Sequence, residues 1–499
     1  MEKRIRWVGV VMVLLFVALF VQLNNIQVFK SNALANSQGN PRVLVNERSQ
    51  PRGDILSADG VTLAQSVSTA GSSSYKYKRV YNPYTAVLFS QIVGYDSEIY
   101  GLTGVEAYYN QYLESHTRPA KSLHDLLVNR TTTDDVTLTV ESHLQSQVAA
   151  ALDAADVDKS APEAGAVVLD VKTGAIEAMY GNPTFDPTGL VSTDGNTEKF
   201  YWNLLNSNKG ESPLVSRAFQ RGFLPGSTFK VVTSSAVYDH DPSVASTNYP
   251  VVSCISVPQT PLPLCNYHQE QCGGTIQITL PVSCNTAFAQ MGMALQSNLG
   301  VAAQAFGFNQ QIPIDLPGPG ISTAPTPAQL VNNPPLQAYA AFGQGTSVAT
   351  DVATPLQMAL VAEAIANNGV VMTPHVMAQI RDSQGNLVTN YTPKPWVTAT
   401  NPLTAAAVTN LMKGVVAFGT ASGVGFPASW NVAAKTGTAE VGTSANPLTN
   451  DWMIAFAPAN APKVAVAVAI PNQVPSSTGA EISGPVMKTI LGDALAATP

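Results

Sequence analysis

The feature that most constrains this chain is the run Trp7–Val21, WVGVVMVLLFVALFV, inside a stretch with no charge between Arg6 and Lys30. A helix through it can cross a ~30 Å hydrocarbon core, which takes roughly 17–25 residues. Everything downstream must then fold on one side of a membrane. Lys3, Arg4 and Arg6 precede the run, and basic flanks stay on the cytoplasmic side. This predicts a cytoplasmic tail over 1–6, a transmembrane anchor over 7–29, and an exported remainder. The alternative is a cleaved signal peptide, because Ala33-Leu34-Ala35 resembles a cleavage site. It lies further beyond the apolar run than such sites usually do.

Export decides how the cysteines read. Cys254, Cys265, Cys272 and Cys284 are spaced C-x10-C-x6-C-x11-C, which is not a zinc pattern, and disulfides persist in an oxidising compartment. Sequential pairing closes the shortest loops of the three connectivities. A buried thiol is the alternative for Cys284, which stands between Ser283 and Asn285. The six histidines form no HExxH cluster, so neither a metal nor a cofactor is expected. With 26 Lys plus Arg against 33 Asp plus Glu and a net charge of −7, no basic face exists to displace counterions from nucleic acid. The chain has no Gly-Lys dipeptide, hence no Walker A loop.

At 499 residues the chain exceeds a single core. The polar break Asp156–Pro162 suggests a boundary between an N-terminal segment, 30–157, and a second domain, 158–499. Val105–Leu113 and Glu141–Ala155 read as helices of the first segment. Gly165–Leu169 and Ala175–Tyr180, joined by a turn at Lys172-Thr173-Gly174, read as an antiparallel hairpin. Phe223–Asp239, Asn285–Gln296 and Thr354–Asn367 read as helices. Asn431–Ala434, Asp451–Ala457 and Lys463–Ile470 read as strands. Strands at both ends of a helical middle imply one antiparallel sheet with helices packed on it.

Chemistry concentrates in Leu224-Pro225-Gly226-Ser227-Thr228-Phe229-Lys230. Residues i and i+3 share a helix face, so Ser227 and Lys230 stand together. A serine needs a neighbour to remove its proton, and a lysine does so only when burial or another cation lowers its pKa. Taken singly the pattern is weak: Ser73-Ser74-Tyr75-Lys76 repeats it in a polar loop. Ser-x-Asn occurs four times, and Lys-Thr-Gly both at 172–174 and at 435–437. Order and context select Ser227-x-x-Lys230, then Ser283-Cys284-Asn285 opening a helix, then Lys435-Thr436-Gly437-Thr438 on a strand, a trio shared by penicillin-binding proteins and class A β-lactamases.

On these motifs the chain resembles the class B penicillin-binding proteins, D,D-transpeptidases of peptidoglycan synthesis. PRGDILSADGVTLAQS from Pro51, GLTGVEAYYNQYL from Gly101, and GAVVLDVKTGAIEAMYGNPTFDP over 165–187 are similar to that family, as are Phe342–Gly345, Thr354–Ala359 and Ala434–Glu440. The SCNTAF run is nearest the actinobacterial type-A branch. The resemblance implies an α+β fold: a transpeptidase domain with a five-stranded antiparallel sheet flanked by helices, an elongated N-terminal module, and one transmembrane helix.

It also implies roles. Ser227 would be the acylated nucleophile, Lys230 its general base, and Ser283 a proton relay to the leaving amine. Asn285 would bond the substrate's backbone amide, and Lys435 would attract its terminal carboxylate. Thr436, Gly437 and Thr438 would line the docking strand, with an oxyanion hole at the N–H groups of Ser227 and Thr438. Substrates would be peptidoglycan stem peptides, inhibitors β-lactams, and partners a membrane glycan polymerase and division or elongation proteins. A carboxypeptidase or a non-catalytic scaffold are the alternatives. Between Thr286 and Thr350 the only acid is Asp315, so no glutamate is placed there as the class A hydrolytic base. Arg52-Gly53-Asp54 reads as a turn, Glu106 as a domain-interface partner, Gly343-Gln344-Gly345 as a tight loop beside the cleft, and Thr420 as a possible cleft contact.

Overall fold

The computed structural model describes residues 2–25, 49–69, 75–117, 131–155, 163–192, 194–207, 211–443 and 446–497. Ala33-Leu34-Ala35, Ser73-Ser74 and the break at 156–162 lie outside them. Helix α1, Glu2–Asn24, is apolar and exposed along its length. Its 23 residues rise about 35 Å at 1.5 Å each, enough for a bilayer core.

Beyond α1 the described residues build two large sheets and five two-stranded ones. The N-terminal segment contributes β1 (Ile55–Leu56), β2 (Thr62–Ser68), β3 (Tyr77–Tyr81) and β4 (Asp134–Leu138), followed by helix α2 (Ser142–Asp153). Next come β5 (Ala164–Asp170), β6 (Ile176–Asn182), α3 (Lys230–His240), α4 (Asn285–Leu295) and α5 (Pro355–Ala366). The last part holds β7 (Met377–Asp382), β8 (Leu387–Asn390), β9 (Ala433–Thr443), β10 (Asn446–Ala457), β11 (Val464–Gln473) and α6 (Ser483–Ala497).

The C-terminal sheet has the order β6-β5-β11-β10-β9, every neighbour antiparallel. This is the five-stranded sheet expected from the resemblance. Its central strands are apolar on both faces because both are covered. On β11, Ala465, Ala467 and Ala469 face one core, while Val464, Val466, Val468 and Ile470 face the other. Alternating side chains point to opposite faces of a strand, and the small row leaves room for α5. All twelve residues of α5 are buried, as suits a helix that is apolar all round. The other face is closed by Met487, Ile490 and Leu491 of α6 and by Leu144, Val148 and Leu152 of α2.

The second sheet does not respect the expected partition at 157/158. Its order is β8-β7-β4-β1-β2-β3, so two strands from the C-terminal part complete the N-terminal sheet. β7 pairs antiparallel with β4 from Met377↔Leu138 to Asp382↔Asp134. Asp315 reinforces the join: it accepts from Tyr109 Oη at 2.6 Å, Val376 N at 2.7 Å and Met377 N at 2.9 Å.

Three local readings need correction. Val105–Leu113 is two short helices, Gly104–Tyr108 and Asn110–Leu113. The expected strand at Asn431 starts only at Ala433, because Asn431 is left-handed with φ 46°. Glu106 is no domain-interface group: it is fully buried inside the N-terminal module, 2.7 Å from Arg52 Nε and 2.6 Å from Arg79 Nε. A buried carboxylate demands such partners, and the two guanidiniums hold its pKa down against burial.

Candidate active site

The expected single helix from Phe223 is interrupted. Gly226–Phe229 forms a 3-10 turn, and α3 begins at Lys230. Gly226 has φ +53°, and a Cβ there would meet Thr438 O at 2.9 Å, so the turn is pressed against β9. Gly437 has the complementary constraint: its Cβ would lie 2.7 Å from Pro225 O and 2.9 Å from Thr228 Cγ2. Trp452 Nε1 donates to Leu224 O at 2.8 Å, tying the same turn to β10. From the other side, Gly226 N donates to Gly343 O at 3.1 Å. The Gly343-Gln344-Gly345 loop thus buttresses the turn from behind. Ser227 sits half-buried on this turn, next to Gly226, whose Cβ position faces Thr438 O.

Lys230 is fully buried and faces the Ser-Cys-Asn segment. Its Nζ donates to Ser283 O at 2.6 Å and Asn285 Oδ1 at 2.7 Å, and lies 3.2 Å from Ser283 Oγ. Lys435 Nζ approaches the same Oγ at 3.0 Å and donates to Thr436 O at 2.9 Å. Ser283 Oγ therefore bridges two lysine nitrogens. Burial, then the Lys435 charge, hold Lys230 well below the ordinary lysine range. Burial alone pushes Lys435 down to about 7. The rings of Phe288 and Phe342 stand 5.2 and 5.8 Å from Lys230 Nζ, completing a dry wall. Lowering the pKa in this way raises the share of neutral amine, which a base requires.

Asn285 points inward to Lys230 in this structure rather than standing free. Ser283 is left-handed, φ 61°, a conformation that costs a non-glycine residue about 1–3 kcal/mol and persists only when its surroundings enforce it. Cys284, next along, is the N-cap of α4 but makes no side-chain cap bond. Asn266 Oδ1 supplies the cap instead, accepting from Thr286 N at 2.9 Å. Disulfides join Cys254 to Cys265 and Cys272 to Cys284, so Cys284 is not a thiol.

Two further residues lie against the Lys-Thr-Gly strand. Thr420 Oγ1 lies 2.6 Å from Thr436 Oγ1, placing Thr420 against the Lys-Thr-Gly strand. Asp451, paired with Thr438 across β9 and β10, is buried, and Ser477 Oγ donates to its Oδ2 at 2.5 Å. Burial raises its pKa to about 7, opposed by the Ser477 and Thr438 hydroxyls. Sequence reasoning missed Asp451, whose only signal was an acid inside an apolar strand. Lys172-Thr173-Gly174 is the hairpin turn, with Thr173 N and Oγ1 both on Asp170 Oδ1 at 2.7 Å. No cluster of metal-ligating side chains occurs among the described residues.

Comparison with known proteins gives the family. The penicillin binding protein transpeptidase domain matches residues 164–492, and the penicillin binding protein A dimerisation domain matches 52–135. The chain belongs to the penicillin-binding protein transpeptidase family. This transpeptidase is 34% identical to the peptidoglycan D,D-transpeptidase PbpA of Mycolicibacterium smegmatis, over 99% of each chain. It is 33% identical to that of Mycobacterium tuberculosis, over 100% of each. Among solved structures, penicillin-binding protein A of M. tuberculosis as its ceftriaxone acyl-enzyme superposes with a TM-score of 0.80 at 28% identity, covering 90% of this transpeptidase and 100% of that chain. Its penicillin G acyl-enzyme gives 0.77 at 27% identity, with the same coverage.

Proposed function

We propose that this transpeptidase is a serine D,D-transpeptidase of peptidoglycan, anchored by α1 with residues 1–6 in the cytoplasm and the bulk outside. Neutral Lys230 takes the Ser227 proton as Oγ attacks the carbonyl of the penultimate D-Ala in a stem peptide. The oxyanion gathers at the N–H groups of Ser227 and Thr438, where each donor contributes roughly 10²–10³ in rate. Collapse expels the terminal D-Ala. Its nitrogen takes a proton from Ser283 Oγ, which is refilled from the Lys230 ammonium 3.2 Å away. The proton lost by Ser227 thereby leaves with D-Ala. An amine of a neighbouring strand then attacks the ester along the reverse path. Lys435, Thr436 and Thr420 receive the substrate carboxylate, while Asn285 exchanges Lys230 for the substrate amide. A β-lactam acylates Ser227 by the same route.

The observation that carries this reading is the shared approach of Lys230 and Lys435 to Ser283 Oγ, at 3.2 and 3.0 Å. Transfer rather than hydrolysis is favoured by Asp315. The one acid of the 286–350 stretch is committed to Tyr109, Val376 and Met377. The N-terminal module is proposed to seat a membrane glycan polymerase and the division or elongation proteins around it. Intact-mass analysis of the detergent-solubilised chain with benzylpenicillin tests the chemistry. One long-lived adduct, absent in Ser227→Ala, is expected. An adduct that clears within seconds would make the protein a hydrolase, and none on folded protein would leave a scaffold.

A further inference from the structure

One buried carboxylate stands outside the chemistry described above. Asp451 is fully buried on β10, just before the apolar run 452–457, and its Oδ1 makes no hydrogen bond among the described residues. An ionised group is costly in such a place, and burial lifts its pKa to about 7. We propose that Asp451 is a positioning residue for acylation: through Ser477 it seats the 474–482 connection on β9, and that connection holds Thr438 in place as an oxyanion donor. The inference rests on the reading of Ser227 and Thr438 given above.

Three observations carry it. The first is the fastening at Asp451 itself. Ser477 Oγ, buried in the connection between β11 and α6, donates to Asp451 Oδ2 at 2.5 Å. Ser483 Oγ, at the start of α6, donates to the Asp451 backbone O at 2.8 Å. A hydrogen bond to an ionised acceptor is roughly twice as strong as a neutral one. The second is the contact two residues further on. Gly479 N donates to Thr438 Oγ1 at 3.0 Å, and a Cβ on Gly479 would overlap Gly437 O and Trp452 O.

The third is where that contact lies. Thr438 and Asp451 are partners across β9 and β10, as are Gly437 and Trp452, and successive side chains on a strand point to opposite faces. The Cβ position of Gly437 meets Pro225 O and Thr228 Cγ2 of the nucleophile turn, so the side chains of Thr438 and Asp451 belong to the other face. There β9 is held between the turn that carries Ser227 and the connection that Asp451 fastens. Without the carboxylate, Ser477 keeps Val474 O at 2.8 Å, within the connection, and Thr449 Oγ1 at 2.9 Å. One weaker tie to β10 remains, so the clamp loosens without opening.

Full-length wild type, Asp451→Ala, Asp451→Asn, Ser477→Ala and Asp451→Ala/Ser477→Ala are compared in detergent at pH 8. Stopped flow over a range of fluorescent penicillin concentrations separates binding from the first-order acylation step. Asp451→Ala and Ser477→Ala are each expected to slow that step by about 10-fold, below the ~10²–10³ that outright loss of an oxyanion donor costs. The binding constant should not move. Asp451→Asn should recover most of the rate, because its amide oxygen still accepts from Ser477. Both Asp451 variants remove the buried charge, so the difference between them reports the clamp and not the charge. The double variant should be no slower than either single one, as expected of two residues in one interaction.

An acylation step within twofold of wild type in both single alanine variants would overturn the proposal. So would equal slowing in Asp451→Asn and Asp451→Ala, or slowing that multiplies in the double variant. A smaller labelled fraction at an unchanged rate constant also overturns it, since that is loss of folded protein alone. If Asp451→Ala does not fold, Ser477→Ala decides, because it removes a single hydroxyl and leaves the carboxylate in place. Wild type that takes no label at all would instead refute the functional reading.

Discussion

Gly437→Ala tests the pressed contact between β9 and the nucleophile turn. Gly437 lies outside the positive-φ positions, so alanine brings no backbone strain, only a methyl group. That Cβ would lie 2.7 Å from Pro225 O, where ordinary contact begins at 3.4 Å. Strand and turn must therefore part by about 0.7 Å, or side chains must leave their rotamers, at a cost of about 1–3 kcal/mol. Both donors of the proposed oxyanion hole flank this contact, Ser227 on the turn and Thr438 on the strand. A separation approaching 1 Å between groups that act on one atom costs about 10²-fold in rate. The assay is the second-order acylation rate with a fluorescent penicillin, with thermal unfolding measured in parallel. We expect about a 10²-fold slower rate and a melting temperature lower by a few degrees. A rate within twofold of wild type would refute the reasoning, because the methyl group would then have been absorbed without opening the site.

Lys230→Met should slow acylation by about 10²–10⁴-fold, the usual worth of a general base, while the protein stays folded, since a polar amine is removed from a dry site; wild type should show an acid limb whose midpoint lies well below the ordinary lysine value of 10.5. Stopped-flow labelling from pH 5 to 9 checks both. Asp451 predicts a stability effect of definite sign. Its folded-state pKa, about 7, exceeds its unfolded value of 3.8, so the folded state holds the proton longer. The stability it contributes is full below about pH 4 and is lost as pH rises to about 7. Asp451→Asn should therefore raise stability by roughly 2–4 kcal/mol at pH 8 and change it little at pH 4, read from denaturant unfolding at the two pH values.

The candidate site residues were legible because their signal is local. Ser227 and Lys230 are one turn apart, and Lys435–Thr438 alternate on one strand, so type and spacing already state the chemistry. The five-stranded sheet was legible for a similar reason: its strands are buried on both faces and read as apolar runs. What escaped depends on contacts far apart in the chain. Nothing local marks Asn266 as the cap of a helix that begins at Asn285, or Thr420 as the neighbour of Thr436. The interruption at Gly226 was hidden because a 3-10 turn and an α-helix share their apolar spacing over four residues. β7 and β8 went unrecognised as members of the N-terminal sheet because register is set by the partner strand, here β4, more than 200 residues earlier in the numbering. Glu106 showed its charge but not its two arginines, which come from Arg52 and from β3.

The shared sheet gives the molecule a mechanical character. The N-terminal module and the C-terminal domain are joined by the covalent segment 156–162 and, in parallel with it, by contacts that include the β4–β7 ladder with its Asp315 clasp. Were α1 held in a bilayer, a pull on it would be borne partly by those hydrogen bonds and not by the linker alone. The far side of the same clasp is the segment His375–Met377, which runs on from the end of α5 and its neighbouring strand, Val370–Met372. A load shared in this way would reach α5, the buried helix packed on the five-stranded sheet.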